Sequence, residues 1–157
     1  MPPKVLFDVS KIDMTRPLVT RDEIALLNPH RYEFALLDGF YHLDMPNMEM
    51  MAYVDVRPDA FWVRGHIPGR PLMPGVLMIE SSAQMISYFA KKVTQAEGFI
   101  GFGGVTDVKF RGQVVPGQKL VLLGKLLEMR ARRTIGATQG YIDGTMVYEG
   151  TITGMLI

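Results

Sequence analysis

Gly65-His66-Ile67-Pro68-Gly69-Arg70-Pro71-Leu72-Met73-Pro74-Gly75, running straight into Val76-Leu77-Met78-Ile79-Glu80, is the stretch on which the reading of this chain turns. Its first eleven residues hold six Gly or Pro. Proline fixes φ and lacks a donor, and glycine serves at unusual backbone angles, so neither a regular helix nor a central strand fits. The segment reads as a rigid loop that holds His66, its one titratable side chain besides Arg70.

Beyond the loop the pattern changes. Val76, Leu77, Met78, Ile79, Ala83, Met85, Ile86, Phe89 and Ala90 fall on nearly every side of a helical wheel, which predicts a helix over about 74–96 that is buried all round. Pro74 suits the first helical position, and Lys91, Lys92 and then Gly98 mark the end. Glu80 is the exception inside it, since a carboxylate in an apolar helix is costly unless paired, metal-bound or protonated. Gln84, four residues on, shares its face and is expected to orient the carboxyl. Gly75 lies in the first turn, where N–H groups lack intrahelical acceptors and the dipole end is positive; a carbonyl oxygen gaining charge would be stabilised there, with no side chain in the way. An imidazole, a carboxyl and an oxyanion donor in one loop-helix unit suit removal of a proton next to a carbonyl, the carboxyl assisting a leaving group.

Outward from this unit, residues 1–19 read as an extension without regular structure and without an assigned role, ahead of one domain over 20–157. Thr20-Arg21-Asp22-Glu23 forms a capping box for a short helix ending near Asn28-Pro29. Strands are expected at 34–43 and 48–57, with 61–64 leading into the loop, and again at 99–110, 119–130, 134–142 and 145–156. Asp143-Gly144 signals a tight hairpin between the last two. One long helix amid antiparallel strands is α+β on pattern alone. Gly98, Gly101, Gly103 and Gly104 lead into a strand, which excludes a nucleotide loop and suggests a bulge or close backbone approach.

Composition fits a compact enzyme: 157 residues, 48% hydrophobic, net charge +1. No cysteine means no disulfide and no thiol catalysis, and with three histidines and no paired ligand spacing no metal site is expected. His30 and His42 read as structural, His30 ordering the turn from Asn28 to Tyr32. The start lacks the apolar core of a signal peptide and no long uncharged apolar run follows, so a cytoplasmic protein with neither membrane nor nucleic acid as partner is expected. Lys109, Arg111, Arg130, Arg132 and Arg133 form a patch for an acidic partner or protect sheet edges, and the sequence leaves both open. Twelve methionines, Met73, Met78 and Met85 among them, suit a flexible acyl chain or ordinary core filling equally well.

Gly65 to Val76 with Glu80 and Gln84 closely resembles the signature of the 3-hydroxyacyl-acyl-carrier-protein dehydratases. Asn28-Pro29-His30-Arg31-Tyr32 before Phe34 and Asp38, then Asp107-Val108-Lys109-Phe110-Arg111 and Val115-Pro116-Gly117, resemble the flanking elements of that family in the same order. The resemblance spans about 20–157. It departs at Ile67, where the family usually has Phe, and at Glu33, where it usually has Pro; the first could alter an acyl pocket, and neither removes a catalytic group.

The resemblance implies a hotdog fold, an antiparallel sheet wrapped around a long central helix, in homodimers with two shared active sites or a trimer of such dimers. It implies His66 and Glu80 as the catalytic pair and the Gly75 N–H as holder of the thioester carbonyl. The expected reaction is reversible dehydration of a (3R)-3-hydroxyacyl group on acyl carrier protein to the trans-2-enoyl form in fatty acid biosynthesis. His66 takes the α proton, and a Glu80 kept protonated by apolar surroundings donates to the departing hydroxyl. No cofactor is needed, because the thioester already acidifies the α position. The rivals are a hotdog thioesterase, in which a carboxylate activates water, and a catalytically silent acyl-binding protein.

Overall fold

The computed structural model describes residues 3–157; Met1 and Pro2 of the expected extension lie outside the described residues. The elements in chain order are β1 (Val19–Thr20), α1 (Arg21–Ile24), β2 (Gly39–Asp44), β3 (Glu49–Asp55), α2 (Gly75–Thr94), β4 (Ile100–Phe110), β5 (Lys119–Met129), β6 (Arg133–Ile142) and β7 (Thr145–Leu156). Every strand pair is antiparallel, and the order across the sheet is β1-β2-β3-β5-β6-β7-β4. The expected α+β class follows, with α2 entering between β3 and β4 and packing across the sheet as in a hotdog.

The two faces of the sheet are covered differently, because successive strand residues point to opposite sides. On the inner face Met50 and Leu122 pack with Met78, Met85, Ile86 and Phe89 of α2, together with Phe40, Leu120, Tyr148 and Ile152. Their chain neighbours Met51 and Leu123 point outward into a second cluster with Tyr41, Tyr53 and Phe7. Phe7 comes from the N-terminal arm, whose Leu6, Val9 and Ile12 also pack there. The arm is clasped by Gln139 of β6, which accepts from Leu6 N–H at 3.0 Å and donates to the Lys4 carbonyl at 2.7 Å.

Local signals account for most boundaries. The Thr20 hydroxyl accepts from Glu23 N–H, and the Glu23 carboxylate answers the Thr20 N–H, forming the expected capping box. Asp143 and Gly144 both take positive φ, 47° and 79°, as a two-residue hairpin turn requires. The glycines of β4 do accompany a bulge, the register shifting between Phe102 and Gly104.

Three expectations are corrected. Strand β2 begins at Gly39 and not at Phe34, because residues 32–34 form a 3-10 turn. The reason is Gln84: its side chain donates to the Phe34 carbonyl at 2.8 Å and accepts from Leu36 N–H at 3.2 Å, so these groups need no neighbouring strand. Pro74 is the N-cap and not the first helical residue, with ψ at 132°, and α2 ends at a left-handed Gln95 before Gly98 is reached. The helix is also not buried all round. Val76 is 68% exposed, while Ser81, Ser82 and Gln84 rank among its most enclosed residues.

Candidate active site

His66 is held by the loop that the Gly-Pro pattern predicted. Consecutive turns lead in, with Gly65 N–H and His66 N–H both donating to the Trp62 carbonyl, and Leu72 N–H returns to the His66 carbonyl at 2.8 Å. The His66 Nδ1 lies 2.8 Å from the Leu72 carbonyl oxygen. A carbonyl only accepts, so Nδ1 carries a proton, and in the neutral ring the lone pair falls on Nε2. The backbone of the loop thereby selects the tautomer that can act as a base.

Gly75 opens α2, with its N–H in the first turn. A Cβ on Gly75 would lie 2.8 Å from the far end of the Phe110 ring in β4, so that ring packs closely over the helix start.

Glu80 stands one and a half turns further along α2, half-buried, its side chain 27% exposed; one chain does not enclose it as the apolar pattern led us to expect. Gln84 holds it as expected, Nε2 donating to Glu80 Oε1 at 3.0 Å. Gln84 is itself fixed by Phe34 and Leu36, so the amide that orients the carboxyl is tied to a second segment of backbone. A cleft of about 110 Å³ adjoins Glu80, walled by Phe99, Ile100, Phe102 and Ile152 from β4 and β7. Among the described residues no hydrogen bond or ion pair joins Glu80 to His66; the structure brings Glu80 together with Gln84 and leaves His66 with Leu72.

One residue at this site was misread from sequence. His30 does not order the turn from Asn28 to Tyr32; Arg31 does, its guanidinium donating to the Asn28, His30 and Ala25 carbonyls. The His30 ring instead points at Glu80, its Nε2 3.6 Å from Oε1. Burial lowers its pKa below the ordinary histidine value, the nearby Glu80 charge opposing that and Arg31 and Lys91 reinforcing it. His30 and Glu80 stand fifty positions apart with no sequence pattern linking them, so only the folded chain reveals the pair.

The other candidate groups are accounted for locally. His42 does meet two acids, Asp44 and Glu49, at the β2-β3 hairpin, yet Glu49 already pairs with Lys125 at 3.1 Å and Asp44 accepts from Asn47. Arg111 pairs with Glu149, while Arg130 and Arg133 both reach Glu128, so two carboxylates within the chain offset part of the basic patch. Asp38 is nearly enclosed and takes Arg21, Arg57 and the Asp55 N–H, a buried carboxylate satisfied on all sides.

Comparison with known proteins bears on the family and the fold. The FabA-like domain family matches residues 28–151. The chain is 36% identical over 139 residues to the 3-hydroxyacyl-[acyl-carrier-protein] dehydratase FabZ of Enterococcus faecalis (strain ATCC 700802 / V583), covering 88% of this chain and 98% of that protein. Among solved structures, the dehydratase heterocomplex ApeI:P from Xenorhabdus doucetiae superposes with a TM-score of 0.73 at 19% identity, over 90% of this chain and 93% of that one. A proposed thioesterase from Silicibacter sp. TM1040 follows at 0.67 and 14%, over 90% and 94%. The structural likenesses show the fold alone, and that fold serves proteins described as dehydratases and thioesterases alike. Sequence decides between them: the match over residues 28–151 and the identity along nearly the whole of a curated relative show that this chain belongs to the FabA-like family, that of the 3-hydroxyacyl-acyl-carrier-protein dehydratases.

Proposed function

We propose that the chain catalyses the reversible dehydration of (3R)-3-hydroxyacyl groups carried on acyl carrier protein to trans-2-enoyl groups and water, as a cytoplasmic step of fatty acid biosynthesis. The reaction class is that of the family. The observation that carries the assignment of roles is the His66 Nδ1 held by the Leu72 carbonyl, which leaves Nε2 as a base on the loop that leads to Gly75.

In this reading the thioester carbonyl is bound at the Gly75 N–H. His66 Nε2 takes the α proton, and the electron pair of that C–H bond moves toward the carbonyl as an enolate-like oxygen develops at the helix start. The pair then forms the α,β double bond as the β-carbon to oxygen bond breaks. Glu80, protonated, gives its proton to the departing hydroxyl, which leaves as water. Gln84 keeps the carboxyl aimed. Addition of water runs the same steps backwards.

The two catalytic groups meet across a homodimer. Within one chain Glu80 looks into a cleft lined by β4 and β7 while His66 sits on a separate exposed loop, and β4 ends the sheet with Phe99, Phe102 and Phe110 about half exposed. A second copy against this end would complete the site and close the partly open surroundings of Glu80.

The test separates the rivals in one cuvette. Incubate the protein with a trans-2-enoyl thioester and follow the conjugated ultraviolet band together with free thiol. Loss of the band without thiol supports hydration; thiol release would replace this reading with the thioesterase, and no change at all with acyl binding alone.

A further inference from the structure

His30 and Gln84 converge on the same oxygen of Glu80. Gln84 Nε2 stands 3.0 Å from Oε1 and His30 Nε2 stands 3.6 Å from it, while Oε2 takes no hydrogen bond among the described residues. The ring state follows from its other nitrogen. His30 Nδ1 is buried and has no hydrogen-bond partner among the described residues. A proton there would be a buried donor without an acceptor, which is rarer and costlier than an idle acceptor, so the ring proton belongs on Nε2 and the cationic form is disfavoured. The charged groups around the ring are Glu80 and Lys91 from α2 and Arg31 from its own segment, and across the adjoining cleft Arg21 and Asp22 of α1. Burial outweighs Glu80 among them and keeps the ring neutral.

We infer that His30 is a positioning residue for Glu80, its neutral ring donating from Nε2 to Oε1 beside the Gln84 amide so that the carboxyl proton is carried on Oε2, facing the departing hydroxyl. The inference rests on the role given to Glu80 above. Two N–H donors make Oε1 the carbonyl-like oxygen of the protonated acid, since an O–H on that atom would face two donors and no acceptor. A separation of 3.6 Å is long for a hydrogen bond, and such contacts tighten when substrate is bound. A neutral donor suits this task better than a cation. A fixed positive charge at the same place would draw the acid into its carboxylate form and cost it the proton it has to give.

The experiment has a spectroscopic arm and a kinetic arm. Nitrogen-15 spectra of the His30 ring should show the neutral Nε2–H tautomer near neutral pH, and Glu80→Gln should leave that tautomer in place, because the amide that replaces the protonated acid offers Nε2–H the same carbonyl-like oxygen. His30→Ala should lower kcat by about tenfold with KM little changed, a part of the ~10² that loss of the acid itself costs. His30→Gln, which keeps an N–H donor, should recover most of that loss. A ring protonated on Nδ1, or one that loses the Nε2–H tautomer in Glu80→Gln, would overturn the inference. So would equal damage from His30→Ala and His30→Gln, since that marks a residue needed for its shape alone. A wild-type protein without hydration activity whose ring still shows the Nε2–H tautomer, kept in Glu80→Gln, would overturn the dehydratase reading while supporting the pairing.

Discussion

In the proposed reaction His66 and Glu80 divide the chemistry between a base held by a backbone carbonyl and an acid aimed by an amide. His66→Ala and Glu80→Gln are each expected to lower turnover by at least about 10²-fold in the enoyl-thioester assay while leaving circular dichroism and the unfolding transition intact. A Glu80→Gln protein that unfolds, with full activity in its soluble remainder, would make the residue structural. The pH dependence of stability carries a second expectation. The folded pKa of His30 is depressed from about 6.5, so the unfolded chain takes up the proton first. Its contribution to stability is therefore complete above that value and is lost as pH falls through the lowered folded value. Urea midpoints measured down through this window should fall less steeply for His30→Gln than for the wild type. These two histidines also show what was legible. His66 announced itself because Gly and Pro surrounded it; His30 did not, since its partner lies fifty residues away and its place near the helix is fixed by Gln84 and the loop it binds.

At the scale of elements, the join between loop and helix is packed by a ring from another strand. Gly75→Ala would bring a Cβ to 2.8 Å from Phe110, but the contacted atoms are the far end of a ring that is 49% exposed and can swing aside. The stability cost should accordingly sit at or below the low end of the ~1–3 kcal/mol typical of overpacking. Activity should fall by about tenfold or more, because the new methyl stands where the thioester carbonyl approaches. Equal losses in melting temperature and in activity would reduce Gly75 to a packing glycine. The strands from β4 to β7, α2 and the Asp143-Gly144 turn were readable because each has its own period or turn chemistry. The segment from Phe34 to Asp38 was not. Its short apolar run looks like a strand, and the Gln84 side chain, supplied from the distant helix, satisfies its backbone in another way.

The whole molecule is where the shared-site model can fail. If His66 of one copy works with Glu80 of another, mixing the two inactive variants should restore activity, because each mixed dimer holds one site with both lesions and one with none. Random exchange makes half the dimers mixed and half their sites intact, so roughly a quarter of wild-type activity should return. Exchange verified by tagged pull-down with nothing recovered would put both residues in one chain. The α+β class was legible from one long helix amid the strand pattern, and the hotdog wrap from the family resemblance alone, whereas the docking of the arm was not legible, its anchoring by Gln139 lying 133 residues from Leu6. That clasp has a consequence for how the chain comes together. The arm is synthesised before every strand it rests on, and its binding surface exists only once β2, β3, β5 and β6 have joined. Until then Phe7 and its apolar neighbours have nowhere to go and the outer face of the sheet lies bare, so a growing chain passes through a stage with two exposed apolar surfaces meant for each other. Such surfaces are what chaperones hold and what aggregates start from, and the arm is thus the last part to dock and the first that local opening would release.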